Sequence, residues 1–190
     1  VLSLKDKKIA FALTGSFYAY KNVIKKIDEL KKQKTKIIPI MSFNSYTLDI
    51  KIENRLEYIQ KIEKICEQKI IHTIEMAKNL KDIDLIIIAP CTANTISKLA
   101  CNVIDTPVLT AAMEALRYQK PLVLAPICIN GLGESAENIG KLLNRKNYYF
   151  VPFRQDNPIT KPRSIAFDPQ YIIKTIKYAL NNEQISPILL

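Results

Sequence analysis

Residues 89–98, "APCTANTISK", place three hydrogen-bonding side chains, Thr92, Asn94 and Thr95, directly after a proline that closes an apolar run. Pro90 cannot donate to a strand ladder, so the chain is expected to turn there and begin a helix. Either Thr92 or Asn94 suffices to cap that helix. The side chains left over can face a ligand, and neutral donors at a helix start suit an anion or the polar rim of a cofactor.

Three other segments offer related chemistry. In "LTGSFY", Thr14, Gly15 and Ser16 contain a single glycine, which disfavours the G-x-G-x-x-G dinucleotide fingerprint. They still provide a backbone that a ligand can approach, a hydroxyl and the N–H groups of a helix start. Those are the parts of a monophosphate cradle, and equally of an ordinary turn and cap. In "IMSFNSY", Ser42 and Asn44 either reach the same anion or form a turn. "APICINGLGE" brings Asn130, a candidate for contact with substrate. His72 is the single histidine, to be weighed as a packed residue or as an acid–base group. Cys91 stands at a helix start, where a thiol can be activated, but no base is identifiable near it and it reads as inert. The four cysteines are far apart with no C-x-x-C pair, so reduced thiols and no metal site are expected.

The elements that position these loops alternate. "KKIAFALTG", "TKIIPIMSF", "IDLIIIAP", "KPLVLAP" and "NYYFVPF" read as strands. Between them lie helices: one with Ile24, Ile27 and Leu30 at helical spacing, one over "RLEYIQKIEKICEQ" with Leu56, Ile59, Ile62 and Ile65 inward, and others from "TISKLACNV", "TAAMEALRYQ", "AENIGKLLNRK" and "PQYIIKTIKYALNN". Buried apolar strands separated by helices imply an α/β fold, a three-layer α/β/α sandwich with a central parallel sheet of Rossmann-like or flavodoxin-like type. One domain over residues 1–190 is expected. Such sheets bind ligands beyond the carboxyl ends of their strands, where strand order reverses. "RQDNPITKPRS", with two prolines and mixed charge, reads as a long exposed loop serving as lid or docking surface. Its Arg154 and Arg163 suit a carboxylate substrate or a partner, because the guanidinium fork binds carboxylates bidentately.

Composition narrows the function classes. The formal charge is +10, and residues 1–36 hold ten lysines against three acids. These lysines fall on the polar face of a helix without interleaved aromatics, so a solvated face is expected rather than a nucleic-acid site. No apolar run approaches the roughly 18 residues of a membrane span, and the start lacks a signal-peptide pattern, which together point to a cytoplasmic protein.

"APCTANTISKLACNVIDTPVLTAA" resembles the signature of the flavoprotein family of homo-oligomeric flavin-containing cysteine decarboxylases. Pro90, Thr92, Ala93, Asn94, Thr95, Lys98, Ala100 and Asp105 fit its pattern. The resemblance implies a site for flavin mononucleotide (FMN). Thr14, Gly15, Ser16, Ser42 and Asn44 would hold the phosphate, Pro90, Thr92, Ala93, Asn94 and Thr95 would line the ribityl and ring region, and Thr110 and Ala111 would close it. It also implies a homo-oligomer, and His72 and Asn130 as candidate catalytic residues. The decarboxylases carry Pro-x-Met-Asn-x-x-Met after the fourth strand, and this chain keeps Asn130 without the methionines. The prenylating flavin enzymes carry an arginine where Thr110 stands. The tail "NYYFVPFRQDNPITKPRSIAF" resembles instead a branch that forms one half of a two-component oxidoreductase in sporulating bacteria. That implies oxidation of a small dicarboxylate in the mother cell, together with an NADP-binding partner, the A subunit of such an enzyme. The alternatives are an FMN-dependent decarboxylase of a cysteine-type substrate, and a non-catalytic structural subunit with a vestigial flavin pocket.

Overall fold

The computed structural model describes residues 3–47 and 55–190. Five strands, β1 (Lys8–Leu13), β2 (Lys36–Met41), β3 (Leu85–Thr92), β4 (Leu122–Cys128) and β5 (Tyr148–Phe150), form a parallel sheet in the order β2-β1-β3-β4-β5. Helices cover both faces, which is why the central strands carry continuous apolar runs: every residue of β4, and of β3 as far as Cys91, is buried.

On one face lie α1 (Tyr20–Lys32) and α8 (Ile172–Leu180), with α3 (Arg55–Cys66) packed beside α1. The other face carries α4 (Ile74–Ala77), α5 (Ala93–Ala100), α6 (Pro107–Arg117) and α7 (Glu134–Leu143). Helix α1 buries Tyr20, Val23, Ile24, Ile27 and Leu30, leaving its lysines half-buried or exposed, as the spacing requires. Helix α3 buries Ile62 and Cys66, with Ile59 and Ile65 half-buried. Leu56, expected inward, is 65% exposed, because it lies in the first turn about a quarter-turn off that arc. A short helix, α2 (Phe43–Thr47), follows β2.

The segment expected as a loop is instead a hairpin of β6 (Phe153–Asn157) and β7 (Lys161–Phe167). It makes the sheet mixed and seven-stranded. Strand β4 is shared along its length: Leu122, Val123 and Leu124 pair with β5, whereas Ile127 and Cys128 pair antiparallel with Ala166 and Ile165 of β7. The Asn157 side chain builds the turn by accepting from the N–H groups of Ile159 and Thr160 at 3.0 and 2.9 Å. The hairpin escapes pattern reading because residues 154–163 are exposed on both faces, so no apolar alternation marks them as strand.

Helix α5 is fixed from behind. Arg145 donates to the carbonyls of Leu99 and Ala100 at 2.9 and 2.8 Å, satisfying the end of the helix with a cation where its dipole favours one. Asn138 of α7 donates to Ser97 Oγ at 3.1 Å. Among the described residues, no helix is long and apolar enough to cross a membrane, and no group of three metal-ligating side chains converges.

Candidate functional site

Strand order reverses between β1 and β3, and the loops leaving their carboxyl ends meet in a cleft of about 1060 Å³. Gly15, Ser16, Phe17 and Tyr18 form one wall, and Thr92, Ala93 and Asn94 form the next. The end of β4 adds Ile127, Cys128, Ile129 and Asn130, and the hairpin adds Asp156, Lys161, Ser164 and Ile165.

The first two walls are held together by Thr14, which is 2% exposed. Its hydroxyl donates to the Pro90 carbonyl at 2.8 Å and accepts from the Thr92 N–H at 3.2 Å. The Thr14 carbonyl in turn accepts from Tyr20 Oη at 3.1 Å. Burial pushes the Tyr20 phenol above its ordinary range, so it remains a neutral donor. Pro90 is buried behind a cis Ala89–Pro90 bond, at a shift in the β3–β4 ladder between Ile88 and Cys91.

The surplus of polar side chains in "APCTANT" has a geometric cause. Thr92 occupies the cap position of α5, but its side chain does not cap the backbone. Its hydroxyl lies 3.2 Å from that of the buried Thr95. Asn94 is exposed on the cleft wall and has no side-chain hydrogen-bond partner among the described residues. Lys98 and Asp105, both signature positions, pair with each other at 2.6 Å, tying α5 to the approach to α6.

Of the expected ligand residues, Gly15, Ser16, Thr92, Ala93, Asn94 and Asn130 meet at the cleft. Thr14, Pro90 and Thr95 stand behind its wall as supports. Others are not brought there. The Ser42 hydroxyl lies 2.8 Å from that of Ser45 and accepts from the Ser45 N–H, so it caps α2, while Asn44 is exposed on that helix. Thr110 is buried in α6, its hydroxyl donating back one turn to the Thr106 carbonyl at 2.9 Å, and Ala111 is fully buried. The His72 ring stacks on Tyr46 with centroids 3.9 Å apart, its Nδ1 lies 3.0 Å from the Ile70 carbonyl, and it lines no part of the cleft. Arg154 faces Asp168 at 3.9 Å, and neither it nor Arg163 is on the cleft wall. Lys161, Asp156 and Ser164 take that place. The signal for them is the hairpin itself, which the sequence pattern does not mark.

The hairpin is fastened to the turn after β4. Ser164 Oγ donates to the Ile129 carbonyl at 2.8 Å, and the Leu132 N–H donates to the Arg163 carbonyl at 3.0 Å. Gly131 makes this approach possible, since a Cβ there would collide with Ile165 Cγ1. Gly131→Ala is expected to cost about 1–3 kcal/mol by overpacking a stiff β-branched side chain, read as a lowered midpoint of chemical unfolding. A second close approach lies at Gly133, where a Cβ would collide with Asn130 Oδ1, so the Asn130 amide rests on that glycine.

Cys128 reaches the cleft wall but is 3% exposed, and burial pushes its thiol up to about 12; burial also pushes the Cys91 thiol well above its ordinary range. Neither is a nucleophile at neutral pH. Cys66 is likewise buried and raised to about 12, which leaves Cys101 as the exposed thiol. A disulfide reagent at pH 8 is expected to titrate one thiol rapidly and the other three only after denaturant is added.

Comparison with known proteins agrees with this architecture. The chain is 36% identical over 190 residues to the B subunit of dipicolinate synthase from Bacillus subtilis, covering 98% of this chain and 95% of that protein. The crystal structure of the dipicolinate synthase B subunit from Bacillus halodurans superposes with a TM-score of 0.92 at 34% identity, over 100% of this chain and 98% of that one. The FMN-dependent cysteine decarboxylase SpaF shares the fold, with a TM-score of 0.71 at 19% identity, over 94% of this chain and 97% of that one. The Flavoprotein family model matches residues 2–165, and the chain belongs to the Flavoprotein family.

Proposed function

We propose that this chain binds an FMN-type flavin at the β1/β3 reversal point and acts as the B subunit of a dipicolinate synthase. In this reading it oxidises a dihydrodipicolinate-level precursor together with the NADP-binding A subunit. The observation carrying the proposal is similarity to the dipicolinate synthase B subunit over essentially the whole chain, hairpin included.

The residues present fit a flavin. The N–H groups of Gly15, Phe17 and Tyr18 have no backbone acceptor among the described residues, and the Ser16 hydroxyl makes no capping bond. A Cβ built on Gly15 meets nothing within 4 Å, so the backbone there is open to a ligand. Fixed N–H groups and a neutral hydroxyl are what a phosphate requires, and the acidic residue of the cleft wall, Asp156, belongs to the hairpin instead. Phe17 and Ile127 give a flat ring apolar surface to rest on. The cleft is at the upper end of the roughly 300–1,000 Å³ usual for cofactor pockets.

When bound, the flavin would supply the redox chemistry that converts a dihydro-dicarboxylate to its aromatic form. This chain's residues do the rest. Gly15 and Ser16 hold the phosphate, Thr14 locks Thr92 and the start of α5 in place, and Asn94 hydrogen-bonds the ribityl or ring region. Asn130 meets the substrate. The apolar walls exclude water, which strengthens each of these contacts. The same reading assigns the chain to a homo-oligomer in the mother-cell cytoplasm of a sporulating bacterium.

The test is the visible spectrum of the purified chain after FMN is added and the excess removed. Wild type is expected to retain a flavin spectrum, and Asn94→Ala to lose affinity by about 10-fold, one hydrogen bond left unmade. A folded wild-type chain that retains no flavin sinks the proposal. Retained flavin without turnover of a dihydrodipicolinate precursor, when the NADP-binding partner and NADP are both supplied, removes the synthase assignment and leaves the flavin site.

A further inference from the structure

The cleft is short of positive charge. Among the described residues on its wall, Lys161 is the one cation and Asp156 the one anion. The Lys161 ammonium donates to Asp156 Oδ2 at 2.9 Å, and the two side chains are 61% and 34% exposed. A lysine ammonium has three N–H donors, so the pair leaves two of them for a ligand. The backbone beneath is held: Lys161 faces Asn157 across the hairpin ladder, and Asn157 ties the turn through its side chain. Towards the base of the hairpin the wall is apolar, with Ile129 and Ile165, and the Ser164 hydroxyl is already used by the Ile129 carbonyl.

We propose that Lys161 is the carboxylate receptor of this cleft, with Asp156 as the resident counter-charge that holds its ammonium in position. A flat cyclic acid enters with its ring against Ile129 and Ile165 and one carboxylate on the two free N–H groups of Lys161. Arg154 and Arg163, the residues whose chemistry suits the task best in the abstract, take no part. This inference rests on the dicarboxylate substrate class of the proposed function, and it does not require the flavin.

The experiment is titration of pyridine-2,6-dicarboxylate into the full chain by calorimetry, with and without added FMN. Lys161→Met is expected to weaken binding about 10- to 100-fold, the loss of charge-assisted hydrogen bonds, whereas Lys161→Arg stays within about 3-fold of wild type. Arg154→Ala and Arg163→Ala are expected to change affinity less than about 2-fold. Lys161 is exposed, so the variant folds, and its urea unfolding is expected to match that of wild type. Binding by Lys161→Met equal to wild type, or no binding of the acid by wild type under either condition, overturns the inference. Lys161-dependent binding in a chain that retains no flavin supports it while removing the flavin reading.

Discussion

Gly15→Leu is expected to leave the fold intact and abolish flavin retention. The two halves of that result have separate physical origins. A Cβ at Gly15 meets nothing within 4 Å, and no glycine among the described residues has a positive φ, so neither sterics nor backbone conformation opposes a side chain. The unfolding free energy should therefore move by no more than about 0.5 kcal/mol, as at an ordinary surface position. The same open space is where a phosphate must approach the N–H groups of this turn. A leucine there denies the ligand at least two charge-assisted hydrogen bonds, each worth about 1.5–3 kcal/mol, which makes the loss of affinity about 100-fold or more. Equilibrium dialysis with FMN, alongside urea unfolding of the same sample, measures both halves. Undiminished flavin binding in Gly15→Leu would mean that the phosphate sits elsewhere, whatever the spectrum of wild type shows.

How far the sequence reveals such a site depends on whether a residue's role is carried by its neighbours in the chain or by a distant partner. The parallel sheet is legible because continuous apolar runs ending in Gly-Ser or Pro have few other uses, and the loops after β1, β3 and β4 follow from it. The placement of Ser16, Asn94 and Asn130 on the cleft wall is legible because each lies within a few residues of a strand end. Thr110 and Ala111 are not, because similarity of a motif carries residue types but not side-chain directions. In α6 those positions point into the core, and the Thr110 hydroxyl is consumed by Thr106. Ser42 misleads for a related reason: its capping partner, Ser45, lies in a five-residue helix too short to announce itself by periodicity. Lys161 is invisible because its place on the cleft wall depends on β7 pairing with β4 through only Ile127 and Cys128, a contact across more than thirty residues that no local pattern encodes.

Thr14→Val is the companion experiment, because it perturbs the same loop from behind and should lower stability as well as flavin affinity. Valine matches threonine in shape, so packing is preserved while the hydroxyl is lost. Two backbone groups then lose their partner: the Pro90 carbonyl and the Thr92 N–H, both of which meet Thr14 Oγ1 at a site 2% exposed. Each buried group left unsatisfied costs about 1–3 kcal/mol, so a loss of about 2–4 kcal/mol is expected, a sizeable part of the stability of a single domain. Thr14→Ser keeps the oxygen and should recover most of it, losing only the methyl contact. Flavin affinity should fall in Thr14→Val as well, but for an indirect reason: the start of α5, which carries Asn94, is no longer anchored to the end of β1. If Thr14→Val instead unfolds like wild type, the hydroxyl is not a structural staple. Thr14 would then return to the role that its place beside Gly15 first suggested, a direct contact with the phosphate.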